Sequence, residues 1–310
     1  MELIRGIQNI RPEHKGCVLS IGNFDGVHLG HRAVLQQLLA KAEQFAVPAT
    51  VMTFEPQPLE LFLGENSPAR LSRLRDKFRQ LQQFGLARLL CVRFSRQFAA
   101  MDANQFIEQI LVEQLGVKFL VVGDDFHFGY RRQGNFELLQ QAGARFGFDV
   151  IATQSLLQGE TRVSSTQIRD ALAAGQLQQA QQLLGRPYSI SGRVAHGQKL
   201  GRTIGVPTAN IWLKRLVTPV KGVYAVDIKG AGTKTYHGIA NIGTRPTLNG
   251  ERQQLEVHIF DFSGDLYGRQ LEVVLKQKIR DERKFEHFAA LQQQIELDIA
   301  QAREFHQSAI

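Results

Sequence analysis

The sequence predicts two domains of different fold class, an α/β domain with a parallel sheet at residues 1–185 and an antiparallel β-barrel with a terminal helix at residues 186–310. Short apolar runs alternate with amphipathic helical stretches as far as Gly185, strand-like runs then follow one another without helices, and one helical stripe of apolar residues ends the chain. β-α-β alternation favours a parallel sheet with helices on both faces. We place the boundary at Gly185 because Pro187 disfavours helix at Arg186.

In the first domain, five apolar runs predict strands. They are Cys17–Ile21, Thr50–Phe54, Leu89–Phe94, Phe119–Val122 and Asp149–Thr153. Apolar residues between Val34 and Phe45 follow helical spacing, and Asp102 is an N-cap candidate for a helix that carries Phe106 and Leu111. Ligands of parallel α/β domains bind at the carboxyl ends of the strands, so we expect a site directly after the first strand.

After Gly185 the strand-like runs are separated by turn residues alone, which is typical of a compact antiparallel barrel. They are Ser189–Val194, Val223–Lys229, Tyr236–Asn241, Leu255–Phe260 and Leu271–Leu275. The chain then ends in a helix, because its last apolar residues form a single stripe. That stripe consists of Phe288, Leu291, Ile295, Ile299 and Ala302.

The formal net charge of +8 fits nucleic acid or anionic small molecules. The basic residues are scattered among acidic ones, so we expect no nucleic-acid partner. No apolar run approaches the ~20 residues that cross a bilayer, so we expect no membrane association. Cys17 and Cys91 lie inside strand-like runs and are expected to be buried free thiols in a reducing compartment. We therefore expect a cytoplasmic protein, either a monomer or a weak homo-oligomer.

A glycine-rich turn, Gly22–His31, follows the first predicted strand and precedes the first predicted helix. This order places backbone N–H groups and the positive end of the helix dipole against an anion. His28 and His31 are three residues apart, so both imidazoles can donate to the same phosphate oxygens. The turn is not a Walker A loop. Two alternatives remain: His28 caps the turn, or the histidines bind a metal, for which no third ligand is evident.

A second glycine-rich segment lies in the predicted barrel, where Gly197, Gly201 and Gly205 recur every four residues. Glycine lets the backbone approach a phosphate closely. Thr208 and Asn210 follow in an extended segment and point to the same side, since they are two residues apart. Both offer oxygen ligands of the kind that Mg²⁺ accepts. The alternative is a surface turn without a ligand.

The segment from His28 to His31 resembles the HxGH signature of the nucleotidyltransferase superfamily, and Val163–Arg169 resembles its (I/V)SSTxIR signature. The resemblance implies a Rossmann-like nucleotidyltransferase domain whose second signature holds the triphosphate. Serine and threonine can also cap the helix that follows and expose N–H donors. The resemblance implies catalytic roles for His28 and His31 and ATP-binding roles for Gly22, Asn23, Phe24, Asp25, Gly30, Ser164, Ser165, Thr166 and Arg169.

Three further segments resemble the flavin-nucleotide-binding loops of the bifunctional bacterial riboflavin kinase/FAD synthetase family. They are Thr53–Pro58, Val122–Gly129 and Arg132–Asn135. Gln57 departs from the pattern, since the family commonly has histidine there. Aromatic rings in and near these loops can stack on a flat isoalloxazine ring, and ordinary core packing is the alternative. The implied flavin-binding residues are Phe62, Asp125, Phe126, Phe128 and Asn135.

The barrel resembles the riboflavin kinases of the same family. Pro207–Asn210 matches their PTAN element, and Glu256 corresponds by position to their catalytic carboxylate. Glu256 would face away from Leu255 and Val257 on a strand, and it can accept a proton from the ribityl hydroxyl. A solvent-facing glutamate on an edge strand is the alternative. The implied ATP-binding residues are Gly197, Gly201, Gly205, Thr208 and Asn210, with Thr208 and Asn210 as metal ligands and Arg245 and Arg280 at the flavin.

The resemblance covers almost the whole chain and implies a bifunctional flavin-nucleotide enzyme. The barrel would phosphorylate riboflavin with ATP to give FMN, and the first domain would adenylylate FMN with a second ATP to give FAD and pyrophosphate. ATP, riboflavin and FMN are then substrates, and Mg²⁺ is the cofactor. Two rivals remain: an adenylyltransferase with another acceptor, such as a nicotinamide or pantetheine phosphate, and a flavin-sensing or RNA-binding regulator built on these folds.

Overall fold

A six-stranded parallel sheet forms the centre of the first half of the protein. The computed structural model describes residues 1–153, 157–158, 161–196, 205–247 and 250–308. The strands of this sheet are β1 (Glu2–Arg5), β2 (Cys17–Ile21), β3 (Ala49–Glu55), β4 (Arg88–Arg93), β5 (Val117–Gly123) and β6 (Asp149–Thr153). They lie in the order β1-β4-β3-β2-β5-β6, and every neighbouring pair is parallel. The predicted α/β class is confirmed.

Helices connect the strands of this sheet. They are α1 (Leu29–Gln44), α2 (Pro58–Leu63), α3 (Leu74–Gln83), α4 (Arg96–Ala99), α5 (Ala103–Gln105), which continues as a π-helix (Phe106–Gln114), and α6 (Phe136–Phe146), with 3₁₀ turns at Ile7–Asn9, Pro12–His14, Gly64–Asn66 and Tyr130–Arg132. Asp102 caps α5 as predicted, because its carboxylate accepts the Asn104 N–H at 2.8 Å. The two-residue strands β7 (Leu157–Gln158) and β8 (Thr161–Arg162) pair antiparallel.

The sheet is covered by helices on both faces, as the alternation of β2 illustrates. Cys17 and Leu19 pack in one core cluster with side chains of the π-helix and α6. Val18 points to the opposite face and packs with Leu35 and Leu38 of α1. Because successive strand residues alternate between faces, one apolar strand serves both cores. The cysteines Cys17 and Cys91 are buried and free, as predicted.

A closed antiparallel barrel forms the second half. Its strands are β9 (Ser189–Ala195), β10 (Ala209–Trp212), β11 (Gly222–Lys229), β12 (Tyr236–Thr247), β13 (Gly250–Ile259) and β14 (Gln270–Arg280), in the order β10-β13-β12-β11-β14-β9. Helices α7 (Ser165–Ala173) and α8 (Leu177–Leu184) precede the barrel, and α9 (Phe288–Ser308) follows it. The predicted barrel and terminal helix are confirmed. In the described ranges, no helix has the length and apolar character needed to cross a membrane.

Four short strands, β1, β7, β8 and β10, were not among the predicted ones, and β7 and β8 have only two residues each. The strand β1 has four residues, and two of them are charged, so its sequence shows no clear alternation of apolar and polar residues that would predict a strand. The strand β10 also has four residues and lies where the sequence indicated only an extended segment. The long strand β12 continues beyond its predicted end at Asn241, and β13 begins before its predicted start at Leu255. Short length therefore accounts for the strands that were missed, and the polar residues of Asn241–Thr247 and Gly250–Gln254 account for the extensions that were missed.

The chain forms two compact units whose division differs from a simple halving of the sequence. The first unit is Met1–Pro68 with Ser72–Ser165, and the second is Ala69–Leu71 with Thr166–Ile310. The division falls between Ser165 and Thr166, whereas the change of sequence pattern comes at Gly185. Helices α7 and α8 are thus part of the second unit. The boundary at residue 185 stays a prediction.

Three residues from the first part of the chain, Ala69–Leu71, are embedded in the second unit. The Arg215 guanidinium donates to the Arg70 carbonyl at 2.8 Å, and the Tyr188 hydroxyl donates to the Leu71 carbonyl at 3.2 Å. Arg169 donates from Nε to the Ala69 carbonyl at 2.6 Å. Buried polar groups need hydrogen-bond partners, and these carbonyls supply one each to the Arg215 Nη1 group and the Tyr188 hydroxyl, whose side chains are buried.

We predict that a fragment of residues 166–310 is more stable than one of residues 186–310. The shorter fragment lacks Leu177, Leu183 and Leu184, which are buried in α8, a helix that packs on β14. Each buried leucine contributes ~1.5–3 kcal/mol, so the melting temperature should fall by about 10 °C or more. Thermal unfolding followed by circular dichroism measures this difference.

Both fragments lack Ala69–Leu71, so the absence of that segment affects the two melting curves alike. Equal melting temperatures would contradict the prediction and would show that α7 and α8 contribute no stability to the barrel.

Candidate functional site

The glycine-rich turn after β2 is held by a buried carboxylate. Asp25 is 2% exposed, and its Oδ1 accepts the Ser72 backbone N–H at 2.9 Å and the Ser72 hydroxyl at 3.3 Å. The Gly26 N–H donates to Ser72 Oγ at 2.9 Å. Phe24 and Val27 have positive φ values of 46° and 42°, so the turn needs such fixed contacts to keep its shape. Asp25 therefore anchors the turn, and its predicted role at ATP stays a prediction.

His28 and His31 form a reciprocal cap at the first turn of α1. The His31 N–H donates to His28 Nδ1, and the His28 N–H donates to His31 Nδ1, both at 3.3 Å. The two rings are stacked, with their centroids 3.7 Å apart. The structure thus confirms the capping contact that was the alternative for His28. Because each Nδ1 accepts a hydrogen bond, the neutral rings carry their proton on Nε2, where it can be donated to an anion.

The two nucleotidyltransferase-like signatures meet at Gly30. A Cβ atom on Gly30 would lie 2.9 Å from the Val163 carbonyl oxygen and 3.1 Å from the His28 ring. The Ser165 hydroxyl donates to the Asp25 carbonyl at 3.1 Å. Only glycine permits this close approach, so its place in the signature has a steric cause. Ser164, which lies between Val163 and Ser165 in the sequence, is half-buried.

Thr166 and Arg169 of the second signature belong to the second unit. Thr166 is exposed, and Arg169 uses Nε to bind the Ala69 carbonyl. Their predicted contact with a triphosphate stays a prediction.

A buried ammonium group, which sequence reasoning missed, lies close to the same turn. Lys77 is 1% exposed, and its Nζ donates to Thr53 Oγ1 at 3.1 Å. Thr53 in turn donates to the Asn23 carbonyl at 3.2 Å. A buried positive charge attracts anions strongly because little solvent screens it. In the sequence, Lys77 stands on the same helical face as Leu74 and Leu81, and this position could have indicated that the lysine is buried.

Two of the three predicted flavin-stacking rings are accessible. Phe62 is 59% exposed and touches Phe94 edge-on, with centroids 6.0 Å apart. Phe126 is half-buried and stacks on Phe128, with centroids 5.5 Å apart and an interplanar angle of 17°. Phe128 is buried and packs against Phe106, so core packing describes Phe128. Phe62 and Phe126 are the rings that can meet a ligand.

The polar residues of these loops have mixed roles. Asn135 caps α6, since its Oδ1 accepts the Leu138 N–H at 3.0 Å. Asp125 is exposed. Gln57, which stands where the family commonly has histidine, is buried, and its N–H donates to the Glu60 carboxylate at 2.9 Å. Within the described residues its Nε2 has no hydrogen-bond partner. The flavin roles of Asp125 and Asn135 stay predictions.

In the barrel, three adjacent strands bring polar side chains together. Asn210 on β10 lies directly opposite Glu256 on β13, and Asn241 on β12 lies opposite Glu256 on its other side. Gln254 is 3% exposed, and its Nε2 donates to Asn210 Oδ1 and to Glu256 Oε1, the latter at 3.0 Å. Leu255 and Val257 are buried while Glu256 is half-buried, as the strand alternation predicted. Gln254 was not predicted, because no motif contains it.

The oxygen atoms around Asn210 are suited to a hard divalent cation. Thr208 is half-buried, and the Asn210 amide donates to the Thr208 carbonyl at 3.4 Å. Gln254 Oε1 is buried without a hydrogen-bond partner among the described residues. Amide, hydroxyl and carboxylate oxygens are the ligands that Mg²⁺ accepts. Gly205 has φ +74° and open space around it, whereas Gly197 and Gly201 lie outside the described residues.

The predicted flavin arginines of the barrel have different surroundings. Arg280 binds the buried Asp298 of α9, with Nε and Nη2 at 2.9 and 2.8 Å from Oδ2, and donates from Nη1 to the Asp281 carbonyl. This guanidinium therefore ties the barrel to the terminal helix, and its flavin role stays a prediction. The side chain of Arg245 lies outside the described part of the chain.

A second carboxylate and an open cavity lie near Arg280 in the sequence. Partial burial raises the pKa of Glu282, while Lys221 and Arg280 act in the opposite direction. The cavity has a volume of about 440 Å³. It is lined by Arg283, Lys284, Phe285, Glu286, His287, Ala290, Gln293, Gln294 and Leu297.

The two units together define a class of protein. A parallel α/β unit with paired histidines at a helix N-terminus is suited to nucleotidyl transfer, and a closed barrel with clustered oxygen ligands is suited to phosphoryl transfer. The chain is therefore a two-domain nucleotide-handling transferase.

Comparison with known proteins identifies the family. Residues 10–167 match the family described as FAD synthetase, and residues 184–306 match the family described as riboflavin kinase. The chain is 56% identical over 306 residues to the bifunctional riboflavin kinase/FMN adenylyltransferase of Escherichia coli K12, covering 98% of each chain. It is 53% identical over 308 residues to the protein of that name from Haemophilus influenzae, covering 99% of this chain and 100% of the relative. The chain belongs to the bifunctional riboflavin kinase/FMN adenylyltransferase family.

One solved structure is similar along nearly the whole chain. It is described as a macrolide-efflux protein from Streptococcus pneumoniae, has 32% sequence identity and a TM-score of 0.78, and the match covers 96% of this chain and 97% of that one. The similarity confirms the fold of the chain. The resemblance found in the motifs is thus confirmed at the level of family and fold.

Proposed function

We propose that this protein makes FAD from riboflavin in two ATP-dependent steps, one in each unit. The barrel phosphorylates riboflavin to FMN, and the α/β unit transfers AMP from a second ATP to FMN and releases pyrophosphate. Each unit of the chain has its own polar cluster at the family's motif, and this pairing supports the proposal. The cluster contains His28 and His31 in the first unit and Asn210 and Glu256 in the second. An adenylyltransferase with another acceptor has no use for the second cluster.

In the adenylyl transfer, an oxygen of the FMN phosphate attacks the α-phosphorus of ATP, and the bond to the β-phosphate bridging oxygen breaks. The nucleophile is already ionised, so no general base is required. Positioning and charge stabilisation supply the rate. The Nε2–H groups of His28 and His31 donate to the phosphate oxygens as charge develops, and Lys77 adds a buried positive charge nearby. Phe62 and Phe126 supply accessible rings for the flavin.

In the kinase reaction, Glu256 accepts the proton of the ribityl hydroxyl as its oxygen attacks the γ-phosphorus of ATP and ADP leaves. Gln254 donates to both Glu256 and Asn210 and so fixes the carboxylate relative to the amide. Thr208 and Asn210 would hold Mg²⁺. When bound there, Mg²⁺ would neutralise part of the negative charge of the phosphates. Their oxygen donors and the unpartnered Gln254 Oε1 support this assignment.

The surroundings of the protein are also part of the proposal. We expect it to act in the cytoplasm as a monomer or weak homo-oligomer, with small-molecule substrates and without nucleic acid. A flavin-sensing regulator is the second candidate, and it would bind riboflavin and ATP without turnover.

His31→Ala should lower FAD formation from supplied FMN by about 10²-fold, because it removes a donor that stabilises developing charge. FMN formation from riboflavin should be unchanged, since it takes place in the other unit. Both rates are measured by chromatography of the flavins. Gln36→Ala, an exposed substitution on the same helix α1, is the matched control and should leave both rates unchanged. Equal losses of both activities would indicate a stability effect and would contradict the role of His31.

Glu256→Gln should lower riboflavin phosphorylation by about 10²–10⁴-fold, because the amide keeps the shape of the side chain but cannot accept the proton. Binding of ATP with Mg²⁺ should survive, as should adenylylation of supplied FMN. Calorimetry and flavin chromatography measure these properties. Asp261→Asn is the control: Asp261 is exposed, and its hydrogen bonds with Arg303 lower its pKa, so it is a poor base.

Normal kinase turnover in Glu256→Gln would contradict the general-base role. The base would then be sought at Glu282, whose pKa is raised by partial burial, before Asp261, whose pKa is lowered by its hydrogen bonds with Arg303.

A further inference from the structure

A cluster of two histidines and an aspartate lies where the terminal helix α9 packs on the barrel. Asp227 on β11 and His237 on β12 are direct cross-strand partners, and His306 lies in the last turn of α9. Asp227 Oδ1 is 2.8 Å from His237 Nδ1 and 3.8 Å from His306 Nδ1. One ligand atom from each of the three residues lies within 4.8 Å of the other two. The proposed reactions use none of these side chains.

His306 has the surroundings of a metal ligand rather than of a surface histidine. It is 7% exposed, and its Nε2 has no hydrogen-bond partner among the described residues. The rings of Phe260 and Phe305 pack against it, and the His237 ring stacks on it at 4.2 Å between centroids. Burial, aided by His237, lowers the pKa of His306, while Asp227 and a hydrogen bond with the Gly238 backbone act in the opposite direction. Metals bind the neutral form of imidazole.

We propose that Asp227, His237 and His306 form a site for a zinc-like divalent transition metal that links the terminal helix to the barrel. Two imidazole nitrogens and one carboxylate oxygen are ligands of Zn²⁺ and Co²⁺, whereas Mg²⁺ prefers oxygen alone. Bonds of about 2.0–2.1 Å in a tetrahedral site place ligand atoms roughly 3.4 Å apart. The half-exposed His237 can make this adjustment by rotating its side chain, and water completes the coordination.

One charged neighbour opposes the cation. Lys276 Nζ on β14 lies 3.5 Å from Asp227 Oδ2, and its side chain is 36% exposed, so it can turn toward solvent when the metal binds. This neighbour gives the proposal a directional test, because removing its charge should strengthen metal binding, whereas removing a ligand should weaken it.

The test uses the full chain without an affinity tag, treated with EDTA and dialysed, in the absence of nucleotide and Mg²⁺. CoCl₂ is titrated while the visible absorption of bound cobalt is recorded, and ZnCl₂ is then added as a competitor. The melting temperature is measured with and without ZnCl₂. The wild-type protein should bind both ions, and Zn²⁺ should raise its melting temperature by mass action.

Four variants decide the assignment. His306→Gln and His237→Gln should each weaken Co²⁺ binding at least about tenfold, because even the loss of a residue that only hydrogen-bonds a metal ligand lowers metal affinity by about that factor. Both variants should also abolish the zinc-dependent rise in melting temperature. Lys276→Gln should tighten binding. His287→Gln, an exposed histidine preceding α9, is the matched control and should bind as the wild type does.

Absence of Co²⁺ binding by the wild-type protein up to about 100 µM would overturn the proposal, as would unchanged binding in both ligand variants. Should His306→Gln fail to fold, the half-exposed His237 gives the same test in a variant expected to fold. Weaker binding in Lys276→Gln would also overturn the proposal, since it would make Lys276 a support of the site rather than its opponent.

Discussion

The buried Asp25 carboxylate is the contact on which the first site depends. It holds Ser72 by two hydrogen bonds, and Ser72 in turn accepts the Gly26 N–H, so the turn keeps its positive φ values at Phe24 and Val27. That shape brings His28 and His31 together at the start of α1. It also leaves room at Gly30 for the Val163 carbonyl, which brings the two signatures of the nucleotidyltransferase into contact.

In the barrel, the order of the strands rather than a glycine-rich turn brings the polar side chains together. Closure places β10, β13 and β12 side by side, so Asn210, Glu256 and Asn241 lie in one row across the strands. Gln254 then fixes the first two by donating to both. In each unit, backbone geometry positions the reactive side chains and a buried neighbour fixes them. This is the preorganisation that phosphoryl and nucleotidyl transfer need, since positioning and charge stabilisation supply most of the rate.

Local periodicity was enough to predict both fold classes, the helix after the glycine-rich turn and the orientation of Glu256, because these follow from spacing along one element. The missing features depend on contacts between distant residues. Ser72 binds Asp25 from 47 positions away along the chain. Ala69–Leu71 belongs to the second unit, although the residues on either side of it belong to the first. His306, close to the end of the chain, lies beside Asp227 of the barrel. Gln254 and Lys77 belong to no motif, and only the structure shows that they are buried and which groups they contact.

Two separate reactions that use ATP in sequence on one chain should be visible in a single time course. The full chain is incubated with riboflavin, ATP and Mg²⁺, and the flavins are separated by chromatography over time. We expect FMN to appear first, FAD then to accumulate at its expense, and one pyrophosphate to be released for each FAD. Riboflavin that is bound but remains unchanged would contradict the proposed function, as would FMN that accumulates without any conversion to FAD.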